Sequence, residues 1–171
     1  MEKIIKYFIF IISVAGFSMS LYLIVKQKKV AYVDNVYLFE NSKLKTEMYT
    51  KFENDKKIRK NILDSLSYEL TEIMKWKEMK ETDPAFLKAK KMQETYYYKE
   101  QKYTDELKEL YDDYNLKIWA QINLKVSEYG KLNGFDYLLG ANGQGSIMFA
   151  SEKENITDKV LEFINNKYEG N

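Results

Sequence analysis

Apolar residues recur at steps of three and four along two long stretches of the chain. Ile58, Ile62, Leu66, Leu70 and Ile73 make the first set, and Tyr103, Leu107, Leu110, Tyr114, Ile118 and Ile122 the second. Each spacing collects its members on one face of a helix. The run 41–131 that holds both contains a single proline, Pro84, and no glycine before Gly130, as uninterrupted helices require. Glu81-Thr82-Asp83 leads into Pro84, a cap-type residue followed by the residue favoured at the first helical position. The pattern predicts helix, tight reversal, helix. That is an antiparallel arm over 42–133 with its tip near 82–84, each limb about forty residues and roughly 60 Å long. A continuous coiled coil kinked at Pro84 is the alternative.

The flanks carry different periods. Residues 7–25 are uncharged, with Lys3 and Lys6 before them and Lys26, Lys28 and Lys29 after, the length of a helix that spans a bilayer. Segment 1–29 is therefore a signal anchor, or a cleavable signal peptide with Ser18-Met19-Ser20 as its small-x-small site. The apolar run continues past that site and favours the anchor. Val30-Ala31-Tyr32-Val33 reads as a strand, followed by a short helix over 36–40 capped by Asp34 or Asn35, with Val36 and Phe39 packed back on the strand. Residues 30–41 form this first part of a base, and Asn41 or Ser42 caps the first limb of the arm. Beyond Gly130 and Gly134, residues 135–139 and 146–150 flank a glycine-rich segment, Gly140 to Gly145, which predicts a β-hairpin turning at Asn142-Gly143. A phosphate cradle needs a strand feeding a helix, and here a second strand is expected after the glycines. Thr157 is the expected N-cap of a last helix with Val160, Leu161 and Ile164 on one face, completing the base over 134–171. The fold class is α+β, mainly α.

Charge and composition narrow the function. Twenty-seven Lys plus Arg against 26 Asp plus Glu give a net charge of +1, which argues against nucleic acid as a partner. With no histidine and no cysteine, the chain lacks the commonest general base, thiol nucleophiles, disulfides, most zinc ligands and a lipid-bearing cysteine. Asp112 and Asp113 sit on a helix surface away from any site-like motif, so no catalysis, cofactor, metal or small-molecule substrate is expected. Fifteen tyrosines are too many for a polar coiled coil. Tyr96-Tyr97-Tyr98 places rings on more than one side of its helix. They pack within the arm, or they line a surface that another molecule touches. Near the tip, Lys75, Lys77, Lys80, Lys88, Lys90 and Lys91 outnumber Glu78, Glu81 and Asp83. This is a solvated face, or a weak contact for anionic lipid or an acidic client.

The order strand, short helix, long hairpin, glycine-rich segment and closing helix resembles the Skp (OmpH-type) family of periplasmic chaperones. The resemblance lies in Val30-Ala31-Tyr32-Val33-Asp34 with residues 36–39, and in Gly134-Phe135-Asp136-Tyr137-Leu138-Leu139, Ala141-Asn142-Gly143, residues 147–150 and 155–161. It implies a homotrimer with three tentacles around a cavity that holds unfolded outer-membrane proteins without ATP. On that reading Val30, Tyr32, Tyr137, Leu139, Ile147 and Phe149 form the shared base. Tyr96, Tyr97, Tyr103, Tyr111 and Tyr114 line the client cavity or zip the hairpin. The rival function is a membrane-tethered coiled-coil scaffold or adaptor of an envelope assembly. The lysines after the uncharged run lean towards a cytoplasmic body, whereas the resemblance implies a periplasmic one. A long following domain can translocate regardless of such a small bias, so the expectation is a periplasmic body tethered to the inner membrane by residues 7–25, or soluble there if the segment is cleaved.

Overall fold

The computed structural model describes residues 2–25, 27–75 and 81–170. Helix α1 (Glu2–Val25) is followed by strand β1 (Val30–Asp34), the short helix α2 (Asn35–Asn41) and the arm helices α3 (Lys43–Met74) and α4 (Pro84–Leu132). Strand β2 (Tyr137–Ala141), a 3-10 turn (Glu152–Glu154) and helix α5 (Thr157–Tyr168) complete the chain. The fold is mainly helical with one small two-stranded sheet.

The arm is an antiparallel pair of unequal limbs. Tyr49 meets Asn115, Arg59 meets Glu106 and Glu69 meets Lys88. At 1.5 Å per residue α3 extends about 48 Å and α4 about 74 Å, so the equal forty-residue limbs expected from the sequence are corrected. The extra length lies at the root, where α4 continues past α3 into the base and buries Ile118, Ile122 and Gly130. Pro84 opens α4 at its first turn, where its missing N–H costs nothing. Ser42 caps α3, its Oγ accepting from the Lys45 N–H at 3.3 Å.

Strands β1 and β2 pair in parallel, Val30 beside Tyr137 through Asp34 beside Ala141. The return of α4 sets this direction. Lys29 donates through Nζ to Asn133 O and through its backbone N to Asp136 Oδ2, both at 2.7 Å, and its carbonyl accepts from Asp136 N at 2.8 Å. Both strands therefore start side by side at the end of α4. Alternation then sends Ala31 and Val33 to one face, where they are buried with Leu38, Ile118, Ile122, Ile156, Val160 and Ile164. Helices α2, α4 and α5 cover that face. Gly140 in β2 lies against the Asn35 side-chain amide, which a Cβ there would force to move.

The expected β-hairpin is not formed: residues 146–150 are not a strand. The reason is topological. On the side away from β2, β1 is flanked by Asn155 and Ile156, whose N–H donates to Tyr32 O at 3.0 Å. Chain leaving β2 must cross the sheet to reach that edge, so it cannot run back along β2. Two local expectations also change. Thr157 does not cap α5; its Oγ1 accepts from Asp34 N at 2.9 Å and donates to Asn155 Oδ1 at 2.6 Å. In α2, capped by Asp34 through the Tyr37 N–H, Leu38 is the buried residue and Val36 is exposed. Phe39 stacks on Trp119 at the root of the arm, with centroids 5.0 Å apart.

Helix α1 touches no other element among the described residues. Its described apolar side chains, Ile5, Ile9, Phe10, Ile11, Ile12, Val14 and Phe17 among them, are exposed on every side. Ser18 and Ser20 return their hydroxyl hydrogens to Val14 O and Gly16 O. Counting described residues alone, no helix is long and apolar enough to cross a membrane. Lys26, which follows the uncharged run 7–25, lies outside the described residues.

Candidate functional site: a bare sheet face and a tyrosine-bearing arm

The face of the sheet opposite the helices is covered by no helix among the described residues. Val30 and Tyr32 of β1 lie beside Tyr137 and Leu139 of β2 in register, and alternation turns all four outward. Residues crossing from β2 pass over this face. Ile147, Phe149 and Ala150 line, with Val30, Tyr32 and Leu139, a recess of about 700 Å³ that also takes in Lys28, Lys29 and Glu154. Phe149 remains 89% exposed and the neighbouring Met148 88%. A contiguous group of large apolar side chains left in water marks an interaction surface. The structure thus brings together the six residues expected to form a base, although without a hairpin.

Along the arm the tyrosines divide by environment. At the root, Tyr111 packs on Tyr49 and Phe52 with centroids 5.8 and 5.7 Å away. Tyr49 donates to Asn115 Oδ1 at 2.9 Å, and its phenol is pushed up to about 12, first by burial and then by its hydrogen bond with Tyr111. These rings zip the two limbs. Tyr103 lies midway, its ring 5.8 Å from the Arg59 guanidinium and 5.9 Å from Lys99 Nζ. Tyr114 is half-buried. Towards the tip, Tyr96 stands edge-on to Tyr97 at 5.7 Å and donates to Glu100 at 3.4 Å. Tyr97 is 57% exposed and Tyr98 67%.

The tip charges are less available than their number suggests. Lys75 pairs with Glu72 and Lys88 with Glu69, while Lys90 and Lys91 are exposed without an ion pair among the described residues. Lys77 and Lys80 lie outside the described residues. No group of three or more acidic, histidine or cysteine side chains able to hold a metal is found among the described residues.

Sequence reasoning passed over Arg59, the only arginine of the chain. It bridges the limbs, 3.4 Å from Glu106 and 3.7 Å from Asp55, and its rarity in a lysine-rich chain was the available signal, since a planar guanidinium can hold two carboxylates and a ring together.

The family model described as outer membrane protein (OmpH-like) matches residues 29–164, which spans the base and the whole arm. The chain belongs to the OmpH-like family. No curated protein matches it. For an OmpH-like chain the coarse functional reading is a periplasmic chaperone role towards outer-membrane proteins, in a family that is not enzymatic.

Proposed function

We propose that this OmpH-like protein is an ATP-independent holdase that shields unfolded outer-membrane proteins in the periplasm. The family match over 29–164 carries the reading. The geometry supports it in two ways. An arm about 74 Å long offers rings and charges on its surface rather than a closed pocket, which suits many unfolded clients better than one small ligand. The bare sheet face then serves assembly: three copies cover Val30, Tyr32, Tyr137, Leu139, Ile147 and Phe149 and set three arms around a cavity. Within that cavity Tyr96 and Tyr97 face clients, while Tyr111 holds the limbs together; Tyr103 and Tyr114 contribute to both. The partners are unfolded outer-membrane proteins and two further copies of the chain. Lys90 and Lys91 supply weak attraction for acidic clients or anionic lipid.

Helix α1, whose described apolar side chains are exposed, is the export segment and, if retained, an inner-membrane tether. Protease added to spheroplasts then digests everything beyond Lys29, whereas protection until lysis refutes this topology. The holdase reading is tested by following light scattering of an unfolded outer-membrane barrel protein diluted out of denaturant. Excess chain suppresses aggregation without nucleotide. Undiminished aggregation sinks the reading, and capture of one folded partner at fixed stoichiometry supports the scaffold instead.

A further inference from the structure

Two Asn-Gly pairs occur in the chain, Asn133-Gly134 and Asn142-Gly143, and all four residues are exposed. Such pairs are the usual place of spontaneous deamidation, because glycine leaves the following backbone nitrogen open to the side-chain amide. We propose that Asn142 is a deamidation site of the folded protein and that the fold protects Asn133.

The hydrogen bonds separate the two. At Asn133 both reacting nitrogens are engaged. The leaving nitrogen, Nδ2, donates to Tyr129 O at 2.9 Å, and the attacking nitrogen of Gly134 donates to Lys131 O at 3.3 Å. The residue is held further by Lys29 Nζ on its carbonyl at 2.7 Å, at the C-terminal end of α4. Reaction there requires that these bonds break first. At Asn142 the pattern is reversed. Its Oδ1 accepts from Gln144 N at 3.0 Å and shares with Gly140 O the single hydroxyl hydrogen of Ser146, whose Oγ lies 2.9 Å from Oδ1 and 3.2 Å from the carbonyl, while Nδ2 and the Gly143 N–H have no hydrogen bond among the described residues. A side-chain oxygen bonded to the nitrogen two residues on closes an Asx turn. Such a turn folds the Asn142 side chain back along the backbone that follows it. The Gln144 N–H on Oδ1, helped by Ser146 when its hydroxyl turns that way, also draws electron density from Cγ and stabilises the charge that forms on the oxygen during attack. Gly143, at φ 70° with open space around its Cα, adds no side chain to obstruct ring closure.

The chemistry needs no enzyme or oxidant. The Gly143 nitrogen loses its proton to hydroxide and bonds to Asn142 Cγ; the Cγ–Nδ2 bond breaks and nitrogen leaves as ammonia. Water then opens the five-membered imide at either carbonyl, giving aspartate or isoaspartate, with one water consumed for each ammonia released. Both products place a carboxylate at the end of β2, where residues 142–151 begin their crossing of the bare sheet face, and isoaspartate lengthens the backbone there by one carbon.

The test uses the purified full-length chain in mild detergent, aged at mildly alkaline pH and physiological temperature. Chymotryptic cleavage after Phe135 and Tyr137 separates the two asparagines, and mass spectrometry follows each. Asn142 is expected to convert at least about tenfold faster than Asn133, the factor for breaking one or two hydrogen bonds before reaction. The same chain in urea is expected to lose this difference. Equal rates in the folded protein, a faster Asn133, or an Asn142 that persists while its unfolded counterpart converts overturns the proposal.

Discussion

Charges placed at Tyr32 and Leu139 give the most discriminating perturbation of the base. The two residues are register partners on the bare face, and Leu139 is 45% exposed in the single chain. About half of its side chain therefore remains for neighbours to cover, worth about 1 kcal/mol when a whole leucine is worth roughly 1.5–3. Three copies around a threefold axis lose about 3 kcal/mol through Leu139→Glu alone, a factor of more than about a hundred in association. A carboxylate enclosed in the joint adds several kcal/mol for each copy. The Tyr32→Glu, Leu139→Glu double variant is therefore expected to run as a monomer in light scattering across a dilution series. Its far-UV circular dichroism stays helical, because the face behind it is untouched. Val33→Glu is the contrast: it puts a charge among Leu38, Ile118 and Val160 and destroys the fold itself. A double variant with unchanged native mass and intact helicity refutes assembly through this face.

Two further outcomes follow from the arm and its root. Tyr111→Ala, which removes a ring packed on Tyr49 and Phe52 but still 42% exposed, is expected to lower arm stability by about 1–2 kcal/mol in chemical denaturation. Tyr97→Ala leaves the transition within about 0.5 kcal/mol and weakens suppression of aggregation; loss of stability at both positions removes the client-facing role. At the clasp between α5 and α3, Glu47 accepts from the Tyr168 phenol and pairs with Lys51. Its carboxyl is held below the usual 4.5, first by Lys51 and then by Tyr168. A depressed carboxylate contributes stability that is present above 4.5 and lost as the pH falls through its lower folded value. Glu47→Gln should flatten the acid limb of a melting profile followed at Tyr168, and an unaltered limb contradicts the clasp.

Much of the architecture was legible because it repeats locally. Apolar residues at helical spacing around a single proline marked both limbs of the arm, and Pro84 stands at the first turn of α4 as its fixed φ and missing N–H allow. The strand at Val30 and the helix at Val160 were equally plain, since each has its own period and its own turn residues. These features depend on neighbours within a few residues, and a sequence states those directly. Val30, Tyr32, Tyr137 and Leu139 share a face through alternation along the two strands, whereas Ile147 and Phe149 reach it from a segment that is not a strand.

Pairing between distant segments was decided only in three dimensions. Asn142-Gly143 between two apolar runs is a sound local signal for a hairpin, yet residues 155–156 occupy the far edge of β1 and draw the chain across the sheet instead. The unequal limbs have a similar origin, because α4 must return past the start of α3 to set β2 beside β1. Likewise, Tyr111 and Tyr97 belong to one helical run and both keep some exposure, but only the position of α3 sets Tyr49 and Phe52 against Tyr111. The two Asn-Gly pairs are alike as sequence, and the difference between them lies in whether the surrounding fold binds their nitrogens or their oxygen.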